Sequence, residues 1–339
     1  MSNILQSDIW AKLQEHNGHT VVRGSGEGWN YMATVEGGST GRYLYAPYGP
    51  EAENAAAFDA AIADMKRVAA EHKCWFIRVE PTNDSIWGQQ SGEAFLAARG
   101  FKLSPRQIQP GHTQIIDLTL SEGELLKGMI SSNRNLHRNI HKKGVTFEKS
   151  QNPEDVKILL HYLNETAERL GFNRQQDDYL MNVAKILMPE DAATLFIVKV
   201  DGEPIGASLC YDSDDTRVYA HTAVSFEHRK LKAGNPLLST IIMDAKEKGL
   251  KYMDLFGIAP NDDPNHEWAG FTQFKKSFGG ESVAFPGTWD LPVSAKGYRA
   301  YQGIRAAREG VAQAKKLVQT KVLPAAKKTV ATVRTKVGK

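Results

Sequence analysis

The sequence predicts an α/β (α+β) protein built from two tandem, similarly organised domains and a basic helical tail. Its length, a repeated order of elements and a sharp break in charge carry that prediction. At 339 residues the chain exceeds what one hydrophobic core usually organises. An apolar share of 41% and a charged share of 24% are ordinary for a globular protein, so two buried cores are expected. The charge break lies near residue 296. From Lys296 onward there are 12 Lys and Arg against one acid, Glu309, whereas the preceding residues hold 30 basic and 38 acidic side chains. A basic arm on an acidic body fits a polyanionic neighbour, RNA or an anionic membrane surface, and equally a solvated tail.

The elements follow in order. "WNYMATVEGGSTGRYLYAPYGP" reads as strand, turn and strand, Ala55 to His72 has the apolar spacing of an amphipathic helix, and "CWFIRVEP" is a buried strand stopped by Pro81. The second half repeats the plan. "TLFIVKVDGEPIGASLCYDSDDTRVYAHTAV" is a three-strand meander with Asp201-Gly202 as a hairpin turn, a helix runs from about Pro236 to Lys248, and "YMDLFGI" is the next strand. Between the halves, Ser121 and Glu124 form a capping box for one helix expected to run to Lys143 and stop at Gly144. Two further helices are opened by Pro153 and Asp177 and closed near Gly171 and Pro189. The expected domains are 1–145 and 146–292, followed by a C-terminal helix and basic tail, 293–339, that packs on the first domain.

Several function classes are disfavoured. No apolar run approaches the roughly 18 residues needed to span a bilayer, and the N-terminus lacks the pattern of a leader, so a cytoplasmic location is expected. Cys74 and Cys210 have no C-x-x-C partner, which fits a reducing compartment and argues against zinc. Asp262, Asp263, His266 and Glu267 crowd one stretch, but "PNDDPN" is what turn chemistry alone demands, and no metal is expected. Arg134, His137, Arg138 and His141 fall at i, i+3, i+4 and i+7 of a predicted helix and form a basic stripe suited to RNA. In "HRKLKAGNPLL" a coenzyme A loop, R/Q-x-x-G-x-G/A, would have its first glycine where this chain has Lys232. Arg229 is the candidate phosphate ligand there.

Several segments, taken in order, resemble one family, the Fem-type (FemABX) peptidoglycan aminoacyltransferases. They are "LQSDIWAKLQ", "YLYAPYGP", "FIRVEP", the run from Ile108 to Val145, "HRKLKAGNPLL", "YMDLFGIAP", and "GFTQFKKSFGG" followed by "PGTWDLP". The resemblance spans about 5–292 and leaves out the basic tail. It implies two acetyltransferase-like (GNAT) domains. It also implies transfer of an amino acid from aminoacyl-tRNA to the amine on the third residue of a lipid-linked or UDP-linked muropeptide. Neither cofactor nor metal is implied, because the tRNA ester already carries the activation.

The same resemblance assigns candidate residues. Lys275, in the family's F-K-x-x-F-G pattern, is the cation beside the oxyanion or the tRNA end. Lys12 and Arg229 carry over as ligands of the acceptor's diphosphate, with Arg42 as a substitute for Lys12. Asp84 is a candidate proton acceptor and Asp117 a second, with substrate-assisted deprotonation as the alternative. Arg134, Arg138 and Lys276 are assigned to tRNA. Two competing readings remain open at this level: an N-acyltransferase with a small thioester donor, and a non-catalytic adaptor that binds RNA or the inner membrane surface.

Overall fold

The computed structural model describes residues 1–38, 41–171, 174–308 and 310. The strands in chain order are β1 Thr20–Gly26, β2 Trp29–Gly38, β3 Gly41–Ala46, β4 Glu51–Ala52, β5 Phe76–Val79, β6 Lys102–Leu103 and β7 His112–Asp117. They continue with β8 Val145–Ser150, β9 Ala193–Val200, β10 Glu203–Asp212, β11 Thr216–Val224, β12 Tyr252–Gly257, β13 Glu281–Ala284 and β14 Trp289–Pro292. The α-helices are α1 Asp8–His16, α2 Ala55–Glu71, α3 Gly92–Ala98, α4 Glu122–Gly128, α5 Ser131–Asn139, α6 Val156–Leu170, α7 Asp177–Leu187, α8 Gly234–Glu247 and α9 Ala269–Lys276.

Two sheets repeat one plan. The first has the order β1-β2-β3-β5-β14-β6, with β4 beside β2, and the second β13-β7-β12-β11-β10-β9-β8. Each is an antiparallel meander, then one crossover helix to a parallel neighbour: α2 links β3 to β5, and α8 links β11 to β12. The boundaries expected for α2, α6, α7 and α8 agree with the structure to within a few residues. Asp201 and Gly202 both have positive φ, at 50° and 88°, as the predicted tight turn requires.

The sheets are not divided at residue 145. Beside each crossover strand sits a strand from the other half of the chain: β14 pairs antiparallel with β5, and β7 pairs antiparallel with β12. The N-terminal segment crosses as well. Ile4, Leu5, Trp10, Ala11 and Leu13 share a core with α6, α7 and the meander of the second sheet, and the Ser2 amide donates to Asp215 Oδ1 at 2.7 Å. Hydropathy periodicity reports which face of a strand is buried, not which sheet it joins, so this exchange is invisible to it.

The exchanged strand β14 is pinned by a buried charge pair. Arg78 on β5 donates to both carboxylate oxygens of Asp290, at 2.7 and 2.9 Å, and the Tyr298 hydroxyl donates to Oδ2 at 3.2 Å. Tyr298 and Tyr301, in the helical stretch 295–308, pack on Phe76 of the first sheet with ring centroids 5.2 and 4.7 Å away. The basic residues expected beyond 310 lie outside the described residues.

The helix predicted from Ser121 to Lys143 is broken. Its capping box forms, but α4 ends at Gly128, Met129 and Ile130 are extended, and α5 starts afresh. Met129 is buried, and the Ile130 amide bonds to Ser277 O, so tertiary contacts on the kink override the continuous helical pattern. The Arg134 guanidinium closes the break, donating to Lys127 O at 3.1 Å and to Met129 O. Within the described residues no helix is long and apolar enough to cross a membrane.

Candidate active site

A cavity of about 930 Å³ opens between the two sheets, and the pairing of β11 with β12 accounts for its position. These parallel strands are in register only from Thr216–Val218 to Tyr252–Asp254 and then diverge. Each strand is also irregular where it diverges. β11 carries an extra residue, Ala220, opposite the Leu209–Cys210 step of β10, so Ala220 and the following His221 both line the cavity. The register of β12 against β7 slips between Asp254 and Gly257, where Phe256 has φ 62°. A bulky residue in the left-handed region is strained, and such strain is retained where the surroundings over-determine it.

Here two groups overdetermine the bend. The Thr113 hydroxyl and the Phe256 amide (2.7 Å) both donate to Asp254 Oδ1, and Lys275 Nζ on α9 donates to the carbonyls of Phe256 (3.1 Å) and Gly257 (2.7 Å). Asp254 lines the cavity, and its Oδ2 takes neither of those bonds. Burial pushes the Asp254 carboxyl up, while the Thr113 and Phe256 bonds and the Lys275 charge pull it down; the net direction is upward. Burial lowers Lys275 to about 8, partly offset by the charge of Asp254. The acid is raised and the base lowered, the pattern of groups held for proton transfer.

The cavity as a whole favours cations. Among the described residues its lining includes Glu93, Asp254 and Glu267 but neither Lys nor Arg. His112 is lowered by burial and His221 is lowered to about 4, so both are neutral at pH 7. Such a lining suits an ammonium group and repels a diphosphate. The aromatic walls are Trp10, Tyr48, Tyr179, Tyr211, Phe256, Trp268 and Phe285.

Residues 131–275 match the family model described as an acetyltransferase (GNAT) domain. Similar curated proteins include the lipid II:glycine glycyltransferase of Staphylococcus epidermidis, 30% identical over 158 residues, which covers 45% of this chain and 38% of the relative. That of Staphylococcus aureus strain USA300 is 28% identical over 211 residues, or 60% of this chain and 49% of the relative. The crystal structure of FemX superposes with a TM-score of 0.79 at 21% identity, over 88% of this chain and 94% of that one. The chain is thus similar to Fem-type transferases over part of its length and shares the fold of FemX. It spans about half the length, or less, of these curated relatives. L-PGS from Bacillus licheniformis shares the fold, with a TM-score of 0.53 at 14% identity.

The residues that the sequence assigns to the site are scattered. Lys275 braces the strand end behind the cavity and is not among its lining residues. Asp84 is exposed on a short 3-10 turn, and Arg42 is exposed on β3; neither reaches the cavity. Lys12 is exposed, 3.4 Å from Glu190, although Trp10, two residues earlier in α1, does line the wall. Arg229 is exposed, donates to Phe226 O at 2.9 Å and lies 4.1 Å from the Phe226 ring centroid. Arg134 is spent on the α4–α5 break, Arg138 is exposed on α5, and Lys276 lines a separate 510 Å³ cavity with Ile130, Asp263 and Thr272. Asp117 caps its own turn, accepting from the Thr119 amide at 2.9 Å.

In the acidic stretch, Asp263 accepts from the Asn265 amide and His266 Nδ1 from the Trp268 amide. The described residues contain no group of acidic, His or Cys side chains able to hold a metal. Asp254, Tyr211 and His221 escaped the sequence reading. One signal for Asp254 was present: an acid at the centre of the apolar run "YMDLFGI" is costly unless something uses it.

Proposed function

We propose that this protein is an aminoacyltransferase. It moves an amino acid from aminoacyl-tRNA to the amine on the third residue of a peptidoglycan stem peptide. The observation that carries this reading is the cavity at the β11/β12 opening, lined by neither Lys nor Arg among the described residues and bearing the buried carboxyl of Asp254. The resemblance to Fem-type transferases supports these donor and acceptor classes. The likeness to lipid II:glycine glycyltransferases supports a lipid-linked acceptor.

The chemistry balances with these groups. The acceptor enters as an ammonium, drawn by the carboxylates, and loses a proton to Asp254 Oδ2. The freed amine attacks the ester carbonyl, forming the C–N bond. The oxyanion that develops is stabilised by the positive charge of Lys275, acting from behind the strand end. Collapse breaks the C–O bond to the terminal ribose, and the proton on Asp254 returns to the departing ribose oxygen. The acceptor's diphosphate stays outside the cavity, within reach of surface cations such as Lys12 and Arg229, while the tRNA stem follows Arg138 and Lys276. A peripheral contact with an anionic membrane belongs to the same reading.

Incubating the protein with charged tRNA and either lipid-linked or UDP-linked muropentapeptide tests it. A gain of one aminoacyl residue on the muropeptide is expected, and no gain with any donor on either acceptor overturns it. A thioester-dependent N-acyltransferase is the second reading, favoured by one observation. Lys232 holds φ 53°, so the loop before α8 keeps a bend that glycine normally supplies in a coenzyme A loop. Saturable coenzyme A binding in calorimetry would favour that alternative.

A further inference from the structure

The part of the cavity wall two strands from Asp254 has no part in the chemistry above, yet it holds an unusual group. The Tyr211 hydroxyl is fully buried without a hydrogen-bond partner, and Asn17 Nδ2 is the other such side-chain atom among the described residues. Buried polar groups are nearly always paired, and an orphan lining a cavity calls for a ligand. The Tyr211 ring is fixed from two sides, 5.7 Å from Trp10 and 5.8 Å from His221 between ring centroids. His221 is itself half-buried and neutral, and no partner of its ring nitrogens is found among the described residues. Val218, Ala220 and Tyr179 complete the wall, so this corner has hydrogen-bonding capacity but no charge.

Register fixes its relation to the reaction centre. Tyr211 is opposite Val218, and Val218 is opposite Asp254, so the three lie side by side across adjacent strands on the cavity face. Neighbouring strands are about 4.8 Å apart, so an acyl carbon bound above Val218 would lie about one strand from the base and one strand from Tyr211. A substituent two bonds from that carbon, on the side away from Asp254, enters the Tyr211 corner.

We propose that Tyr211 and His221 form the side-chain pocket for the transferred amino acid and select a small hydroxylated residue, of the serine type, over alanine and glycine. The inference rests on the aminoacyl-transfer reading. A serine hydroxyl satisfies the orphan tyrosine, alanine fills the space but leaves it unpaired, and glycine leaves the corner empty. Charged side chains meet no counter-charge there. Sites built to bond a substrate hydroxyl discriminate strongly against the analogue that lacks it.

The test compares kcat/KM for seryl-, alanyl- and glycyl-tRNA on one muropentapeptide, with the wild-type protein and Tyr211→Phe, alongside their melting temperatures. The wild type is expected to prefer serine at least tenfold over alanine. Tyr211→Phe is expected to lose most of that preference through the serine value alone, while melting higher because an unpaired buried hydroxyl is gone. A purely structural tyrosine would lower the melting temperature and all three rates together. Equal wild-type use of serine and alanine overturns the pocket, as does a preference unchanged in Tyr211→Phe. Absence of transfer from all three tRNAs overturns the aminoacyl-transfer reading and the pocket with it.

Discussion

At the scale of single residues, Asp254 and Lys275 act through what burial does to them. Asp254→Asn keeps the shape and the ability to accept from Thr113 and Phe256, but removes the proton acceptor. We expect kcat to fall about 10²- to 10⁴-fold with the melting temperature unchanged or raised, measured by single-turnover transfer and thermal unfolding. Lys275→Ala is expected to cost about 10²- to 10³-fold in kcat, the scale of losing one oxyanion-stabilising group. The pH profile carries a sign. Lys275 is lowered to about 8, so its ammonium is present below that pH and lost above it. The acceptor amine, with an ordinary pKa of about 10.4, becomes more reactive over the same range. A rate that levels or falls above about pH 8 reports Lys275, whereas an uninterrupted rise to pH 10 would show that its charge is not used.

At the scale of elements, the exchanged strands decide what holds the site. Asp290→Ala leaves the Arg78 guanidinium buried and unpaired, which we expect to destabilise the protein by about 3–5 kcal/mol in denaturant titration and to loosen β14 first in hydrogen exchange. Most elements were legible in the sequence because their signals are local: Ser121 with Glu124 announces a helix start, Asp201-Gly202 a hairpin, and Gly249 a helix stop. The break at Met129–Ile130 was hidden because contacts with Ser277, far along the chain, cause it. The site was less legible than the fold for the same reason. Lys275 could be singled out by its motif, but the extra residue at Ala220, the slip at Phe256 and the row Tyr211, Val218, Asp254 are products of strand pairing. The cations that sequence logic assigned to phosphate lie on the surface, since nothing in local spacing separates a surface arginine from one turned into a cavity.

At the scale of the whole molecule, two acetyltransferase-like sheets are interlocked by β7, β14 and the N-terminal segment, and the cavity lies where they meet. A fragment of residues 1–145 would keep β7 without its sheet and lack β14. We expect it not to form a cooperatively unfolding domain, and a sharp unfolding transition of that fragment would show that the interlock is dispensable. The reaction centre at the divergence of β11 and β12 is the central claim. The most direct measurement is tandem mass spectrometry of the muropeptide after incubation with aminoacyl-tRNA and either the wild type or Asp254→Asn. The account predicts one new amide on the third-residue amine with the wild type, and the same product formed at least a hundredfold more slowly by the variant. Equal rates for the two proteins, or an amide at any other position, would contradict it.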